Sequence, residues 1–232
     1  MLGQLVLNER GGGKAERAQL YGLTVLRVGA DPEGWLGQHR LRKAGRALRR
    51  GGAMRILTPA GFQQWDLMQA CGLGAVSPLA FLRAQGASLA LGALERQGLA
   101  PDRSVVALQG GRVDRELVRA AVELCPRVRR LVIDVPRGGR ELADWLRQEF
   151  GIPVLPPEEP SPVSLGFSGK EHLEEAEERA RGMSLTLYGA SPSLAGLVVS
   201  APRLDREDRE RLPLMAALWE EGRLPPDGIK IT

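Results

Sequence analysis

Residues 104–156 read SVVALQGGRVDRELVRAAVELCPRVRRLVIDVPRGGRELADWLRQEFGIPVLP, and this stretch decides the fold class. Three short apolar runs at 105–108, 131–135 and 152–155 alternate with two segments whose apolar residues recur at helical spacing. Continuous apolar runs of this length are typical of strands that are buried on both faces, as in a parallel sheet. Strands that alternate with such helices indicate right-handed crossovers. The stretch therefore predicts a β-α-β-α-β unit.

The residues at the predicted helix ends agree with this unit. Asp114 stands at the start of the first helix, where a carboxylate caps N–H groups and interacts favourably with the helix dipole. Pro126 ends that helix, and Gly151 is placed to end the second. We therefore predict an α/β fold, a Rossmann-like three-layer domain with a mainly parallel sheet and extra short strands at both ends.

The sequence pattern divides the chain into three predicted segments. Residues 1–58 are expected to form an N-terminal β-hairpin, a basic helix and a strand. Residues 59–157 hold the Rossmann-like core with its preceding helices, and residues 158–232 hold C-terminal strands and a helix that pack on the core. The last boundary lies within the proline-rich joint at 153–162, where the pattern of apolar residues changes.

Several elements outside the core are also predicted from apolar periodicity. Strands at 2–7 and 20–28 are expected to pair as a hairpin across a flexible, glycine-rich turn. A strand at 54–57 leads through helices toward Ser104, and it is expected to extend the core sheet. Helices are predicted over 77–97 and 205–221, the second one bent at Pro213.

Composition indicates a globular protein with no membrane segment. Of the 232 residues, 43% are hydrophobic and 26% are charged, and the formal net charge is +4. No apolar run approaches the roughly 20 residues that span a bilayer. Only four of the 32 basic residues are lysines, an arginine bias that a GC-rich bacterial genome also produces. Cys71 and Cys125 are expected to be buried free thiols, so we predict a cytoplasmic protein.

The carboxyl ends of the first two core strands are the expected ligand site, because open α/β sheets bind ligands at this edge. Both ends carry glycine-containing turns with arginines, which let a ligand approach the backbone and favour anions. The predicted cofactor-binding residues are Gly110, Gly111, Arg112, Asp134, Arg137, Gly138 and Gly139.

This stretch resembles the nucleotide-binding half of Rossmann NAD(P) enzymes, with the shikimate dehydrogenase family the most similar. The strand-end Asp134 followed by Arg137, and the helix ELADWLRQEFG, carry the resemblance. It implies that NAD(P) lies in this cleft, with Asp134 bonding a ribose hydroxyl or Arg137 contacting a phosphate.

The first turn departs from the pattern of that family. It reads LQGGRVDRE, so the third glycine of the dinucleotide fingerprint is replaced by Asp114 or Arg115. A Gly-Gly pair in a strand-to-helix turn also occurs for steric reasons alone, so a purely structural turn is the alternative to a ligand site.

A basic helix at 35–50 provides a second candidate surface. Arg42, Arg46 and Arg49 lie around its apolar stripe and are the predicted nucleic-acid or anion contacts. The alternative is a solvated helix face, which needs no partner. No aromatic residues alternate with these arginines in a way that would stack single-stranded bases.

Residues for metal binding or nucleophilic catalysis do not cluster in the sequence. The two histidines, His39 and His172, have no neighbour at metal-ligand spacing, so no metal site is predicted and no catalytic residue is assigned. The first hypothesis is therefore a noncatalytic or regulatory module that binds a nucleotide or a protein partner. The alternatives are an NAD(P)-dependent oxidoreductase-like enzyme, and an RNA- or phosphate-binding protein that uses the helix at 40–50.

Overall fold

A computed structural model of the chain describes residues 1–7, 14–169 and 182–232. The chain folds into two compact units. The first unit comprises Met1–Pro78 and Ala201–Ile229, and the second comprises Leu79–Ser200 and Lys230–Thr232. This division differs from the three predicted segments, because strands after the proline-rich joint stay in the second unit while the last long helix belongs to the first.

The described residues form twelve strands and seven α-helices. The strands are β1 (Leu2–Leu7), β2 (Glu16–Leu20), β3 (Leu23–Ala30), β4 (Arg55–Leu57), β5 (Gly74–Ala75), β6 (Val105–Gln109), β7 (Arg130–Asp134), β8 (Val154–Leu155), β9 (Val163–Gly166), β10 (Met183–Thr186), β11 (Val199–Ser200) and β12 (Lys230–Ile231). The helices are α1 (Gly37–Arg50), α2 (Trp65–Gln69), α3 (Leu79–Ala84), α4 (Gly86–Arg96), α5 (Arg115–Leu124), α6 (Gly139–Phe150) and α7 (Leu212–Glu220).

The first unit contains a five-stranded sheet with the order β2-β3-β1-β4-β5. Strand β1 runs parallel to β3 and to β4, whereas β2 pairs antiparallel with β3. The predicted hairpin between strands at 2–7 and 20–28 is therefore wrong, and part of its turn, residues 8–13, lies outside the described residues. Strand β2 was missed because its sequence ERAQL is mostly exposed and has no apolar run.

Helix α1 packs on this sheet through the apolar stripe that its sequence predicts. Leu41, Ala44 and Leu48 recur at intervals of three and four residues, and all three are buried. They share one core with Leu5, Val28 and Ile56 of the strands. The basic residues of α1 consequently lie on the other sides of the helix.

The β2–β3 hairpin is held to another segment of the first unit by Tyr21. The Tyr21 hydroxyl lies 2.8 Å from a carboxylate oxygen of Asp205 and 2.8 Å from one of Asp208. Burial raises the pKa of Tyr21 above its ordinary value, and the hydrogen bonds to the two carboxylates raise it further. Tyr21 and Gly22 have φ angles of 49° and 84°, the left-handed pair that a two-residue hairpin turn requires.

The second unit contains a five-stranded sheet with the order β10-β9-β6-β7-β8, and every neighbouring pair in it is parallel. The predicted mainly parallel α/β fold with additional short strands is confirmed. Numbered along the chain, the strands stand in the order 5-4-1-2-3, which is the order of Rossmann folds. The expected extension of this sheet by the strand at 54–57 is wrong, since β4 belongs to the sheet of the first unit.

The predicted ends of α5 and α6 agree with the structure. The Asp114 side chain accepts a hydrogen bond from the Leu117 amide at the start of α5, and Gly151 ends α6 with a φ of 65°. The helix predicted over 77–97 is instead divided into α3 and α4 just before Gly86. A Cβ atom at Gly86 would lie 3.0 Å from the Phe167 ring, so the glycine permits close helix packing there.

The C-terminal elements differ in detail from the prediction. Helix α7 begins at Leu212 with Pro213 in its first turn, and it is not bent there. Proline is compatible with this position, because the first helical N–H groups have no acceptor within the helix. Strands β11 and β12 form a separate two-stranded antiparallel sheet. Among the described residues, no helix has the length and apolar character needed to cross a membrane.

Candidate functional site

The strand order of the second unit places a crevice at the carboxyl ends of β6 and β9. The chain leaves β6 toward β7 and β8 on one side and returns to β9 on the other, so the crossover direction reverses between β6 and β9. Open α/β sheets bind ligands outside the carboxyl ends of the strands at such a reversal. The strand order thus directs attention to the turns that follow β6, β7 and β9.

A cavity of about 1060 Å³ opens at this edge of the sheet. It is formed by the turns after β6 and β7, the first half of α6, and the connection from β8 to β9. Its volume is close to the upper limit of roughly 1,000 Å³ for sites that hold small molecules. The cavity brings together five of the seven predicted cofactor-binding residues: Gly111, Arg112, Asp134, Arg137 and Gly139.

Backbone hydrogen bonds connect the two glycine-containing turns. The Gly110 amide donates to the Asp134 carbonyl at 3.3 Å, and the Val113 amide donates to the Arg137 carbonyl at 3.0 Å. Gly138 has a φ of 82° and stands directly before α6. Gly110 and Gly138, the other two predicted residues, therefore shape the turns and are not among the residues that line the cavity.

The amino end of α5, where a Rossmann enzyme places a pyrophosphate, is closed by side chains. Asp114 accepts from the Leu117 amide at 3.0 Å and forms an ion pair with Arg83. The Gly111 amide donates to the Ser168 hydroxyl at 2.8 Å, across the crevice between β6 and β9. A phosphate at this helix end would compete with the Asp114 carboxylate for the same N–H groups.

The amino end of α6 has a different environment. Gly138 precedes the helix and no side chain caps it. The first N–H groups of a helix have no acceptor within the helix, and together with the helix dipole they attract anions. Arg137 and Arg140 are exposed on either side of this end, and both line the cavity. This rim combines helix N–H groups with guanidinium groups that suit a phosphate or a carboxylate.

Carboxylates also line the cavity. Asp134 accepts a hydrogen bond from the Gln109 side-chain amide at 3.3 Å. Asp144 forms an ion pair with Arg147 at 2.6 Å, and Arg147 also donates to the Val154 carbonyl at 2.9 Å. The lining therefore combines a cationic rim with four carboxylates, Asp134, Asp144, Glu158 and Glu159. Neighbouring side chains hold the first two.

One buried hydroxyl in the lining has no hydrogen-bond partner. Ser164 in β9 is 2% exposed, and its Oγ finds neither donor nor acceptor within the described part of the chain. Buried polar groups are nearly always paired, so each exception needs an explanation. The sequence did not single out Ser164, because a serine inside an apolar strand resembles any residue of the sheet.

The basic helix of the first unit forms a second, smaller cavity of about 530 Å³. Arg42, Arg46 and Arg49, the predicted nucleic-acid or anion contacts, all line it. No carboxylate is among the residues described as lining it, and the Arg40–Asp31 ion pair at 2.9 Å lies outside it. The remaining lining residues are His39, Lys43, Arg50 and Cys71.

Metal-binding and thiol chemistry are limited in the described residues. Across residues 1–7, 14–169 and 182–232, no three His, Cys, Asp or Glu side chains are grouped so that they could hold a metal ion. His172 lies outside these ranges. Both cysteines are free, but Cys71 is only half-buried, contrary to the expectation of two buried thiols. Burial raises the pKa of the Cys125 thiol, which disfavours the reactive thiolate.

Comparisons with known proteins show no family. No family model matches the chain, and no curated protein matches it. Solved structures with some likeness include L-tryptophan dehydrogenase from Nostoc punctiforme, with 14% identity and a TM-score of 0.39 over 97% of this chain and 68% of that chain. Ornithine carbamoyltransferase from Pyrococcus furiosus has 12% identity and a TM-score of 0.34, over 82% of this chain and 72% of that one.

Aspartate transcarbamoylase from Trypanosoma cruzi is a third such structure, with 11% identity and a TM-score of 0.35 over 94% of this chain and 82% of that chain. All three TM-scores lie below 0.5, so the activities of these proteins are not transferred to this chain. The Rossmann-like description of the second unit rests on its own strand order.

Proposed function

We propose that the second unit is a binding module for a small molecule that carries a phosphate group. The observation that supports this most is the cationic rim of the cavity, where Arg137 and Arg140 flank the uncapped amino end of α6. Arg112 stands beside them, because the turn after β6 bridges to Arg137. Several guanidinium groups beside free helix N–H groups suit a phosphate better than a neutral ligand.

The charge state of the rim adds to this argument. Among the described residues, Arg112, Arg137 and Arg140 have no ion-pair partner, whereas Arg147 of the same cavity is paired with Asp144. A set of unpaired cations at one edge of a cavity repels itself and is relieved by an anion. We infer that an anionic group of the ligand lies at this rim.

A noncatalytic or regulatory function is favoured over an oxidoreductase. The described lining of the cavity contains no histidine, the side chain that most often serves as a general acid or base. The closed amino end of α5 also disfavours the usual position of an NAD(P) pyrophosphate. The resemblance to the shikimate dehydrogenase family therefore supports a nucleotide-type ligand more than a hydride transfer.

A thermal-shift panel tests the proposal directly. Pure protein is melted with inorganic phosphate, ribose 5-phosphate, nucleoside mono-, di- and triphosphates, NAD and NADP. A ligand at about 100 times its dissociation constant stabilises the folded state by about 2.7 kcal/mol, which gives a shift of roughly 5 °C or more. We expect such a shift for at least one phosphorylated compound. No shift for any of them at millimolar concentration contradicts the proposal.

A second candidate function is a contact between α1 and the phosphate backbone of a nucleic acid. The supporting observation is the cavity on α1, which carries Arg42, Arg46 and Arg49 on neighbouring turns without a lining carboxylate. Like charges one turn apart destabilise a helix by about 0.2–0.5 kcal/mol per pair, and phosphates would remove this repulsion.

Replacing these three arginines by glutamine tests the second candidate. We expect weaker binding of a fluorescent duplex DNA, and of an RNA of the same sequence, in anisotropy titrations. The slope of log affinity against log salt should fall by about 2.7 for the DNA, because each lost phosphate contact removes about 0.9. The matched control replaces Arg17, Arg203 and Arg206, which are exposed in the same unit. Equal losses in both variants would show a nonspecific charge effect.

A further inference from the structure

We infer that the ligand of the second unit is a mononucleotide whose base lies against Ser164, at the inner end of the cavity. This inference rests on the proposed phosphate site and adds a second subsite, for a planar heterocycle, at the opposite end of the same cavity. The register of the strands, and the buried hydroxyl of Ser164, carry it.

The register places four cavity residues side by side across four strands. Ala107 of β6 is paired with Val132 of β7 and with Ser164 of β9, and Val132 is paired with Leu155 of β8. Paired residues of a parallel sheet point to the same face, about 4.8 Å apart. All four residues line the cavity, and they form one mostly apolar row, which we call the floor. Three of them, Ala107, Val132 and Ser164, are at most 4% exposed.

The next row lies two residues further toward the carboxyl ends, about 6.6 Å along the strands. It contains Gln109 and Asp134, which are paired in the register and joined by a side-chain hydrogen bond. Beyond this row stand Arg137 and the other cations of the rim. From the floor outward, the residues change from apolar with one hydroxyl, through an amide and a carboxylate, to the arginines of the rim. Glu158 and Glu159 line the cavity on the connection from β8 to β9.

This sequence of environments matches the parts of a nucleoside monophosphate. The phosphate suits the rim, and the ribose hydroxyls suit the Asp134 carboxylate as hydrogen-bond acceptor. A base suits the floor, where the small Ala107 side chain lies between the apolar Val132 and the Ser164 hydroxyl. The inference names a mononucleotide because the α5 end, where a Rossmann enzyme places the pyrophosphate of a dinucleotide, is occupied by the Asp114 side chain.

Ser164 is the residue that makes the floor specific for a heterocycle. Its Oγ is buried without a partner and belongs to the cavity lining, and a hydroxyl can both donate and accept a hydrogen bond. A ring nitrogen or an exocyclic group of a base would supply the missing partner. A sugar phosphate alone would leave the Ser164 hydroxyl unpaired.

The test compares nucleoside monophosphates with ribose 5-phosphate by isothermal titration calorimetry. At least one of AMP, GMP, CMP and UMP is expected to bind at least tenfold more tightly than ribose 5-phosphate. The Ser164→Val variant, which keeps the shape of a strand residue, should bind that nucleotide about fivefold more weakly, as expected for one lost hydrogen bond. Its affinity for ribose 5-phosphate should stay within twofold of the wild type.

A second variant tests the base subsite independently of Ser164. Ala107→Leu places a larger side chain on the floor from the neighbouring strand. It should weaken nucleotide binding at least tenfold and leave the affinity for ribose 5-phosphate unchanged. Thermal melting and circular dichroism confirm that each variant is folded.

The outcomes separate this inference from the proposed function. Equal affinity for ribose 5-phosphate and for all four nucleotides would overturn the base subsite while the phosphate site stands. Equal weakening of both ligands by the Ser164 variant would also overturn it. If neither ribose 5-phosphate nor any nucleotide binds, both the proposed phosphate site and the base subsite are wrong.

Discussion

Changing Arg137 and Arg140 together to glutamate is expected to weaken the binding of a phosphorylated ligand at least 100-fold. Each arginine would contribute about 1.5–3 kcal/mol as a charge-assisted hydrogen bond, and reversing its charge adds repulsion. Two lost contacts exceed the 2.7 kcal/mol that corresponds to 100-fold. The measurement is a titration of the best ligand from the panel, made at the same ionic strength for all variants.

The fold should tolerate this double change. Both side chains are exposed, and a glutamate at position 140 lies in the first turn of α6, where a negative charge interacts favourably with the helix dipole. A loss of binding would therefore reflect the site and not unfolding. A melting temperature within about 2 °C of the wild type is the accompanying expectation.

The matched control changes Arg127 and Arg129 to glutamate. These two arginines are exposed directly before β7, at the amino end of the same sheet, so the net charge changes equally at the opposite edge. We expect less than a threefold effect on affinity. If both double variants weaken the ligand to the same degree, the anion is attracted by the overall charge of the unit, and the rim is not its site.

Replacing Phe167 by alanine is expected to destabilise the second unit by about 3–5 kcal/mol, the range for removing a fully buried phenylalanine. Phe167 is 0% exposed, directly follows β9, and contacts the helix layer at Gly86. The Arg83 guanidinium lies 5.8 Å from the centre of its ring, which adds a cation–π contribution. The resulting cavity would lie next to Ser168, which holds the Gly111 amide.

Hydrogen exchange of the β6 and β9 backbone amides reports this loss without interference from the first unit. Opening of the second unit should become at least 100-fold more frequent, since every 1.4 kcal/mol changes the opening equilibrium about tenfold. Phe167→Leu is the control, because it keeps most of the buried volume and should cost less than about 1.5 kcal/mol. Equal effects of both substitutions would contradict a packing function for the ring.

The second unit could be predicted well because its signals are local. Asp114 and Gly151 mark helix ends through hydrogen bonds and a left-handed φ that depend on neighbouring residues only. The continuous apolar runs of β6 and β7 indicate, from the sequence alone, that these strands are buried on both faces. The location of the turn residues could then be predicted as well. In a parallel sheet, the strand-to-helix turns after β6 and β7 lie at the same edge.

The first unit was harder to predict because its pairing is not local. Strands β1 and β3 are parallel, and the exposed strand β2 stands between them in the chain and lies at the sheet edge. An exposed edge strand has no apolar pattern, so sequence periodicity misses it. Likewise, β4 joins the first sheet by long-range pairing that no local pattern reveals.

The sequence by itself determined the α/β class of the second unit, the ends of its helices, and the edge of the sheet at which Asp134 and Arg137 line a cavity. Only the tertiary structure decided that the α5 end is closed by Asp114 and Arg83, and that Ser164 lies beside Ala107 in one cavity. The physical reason is distance along the chain. Helix ends and apolar runs arise among adjacent residues, whereas an ion pair between Arg83 and Asp114, or a row across four strands, exists only after distant segments pack together.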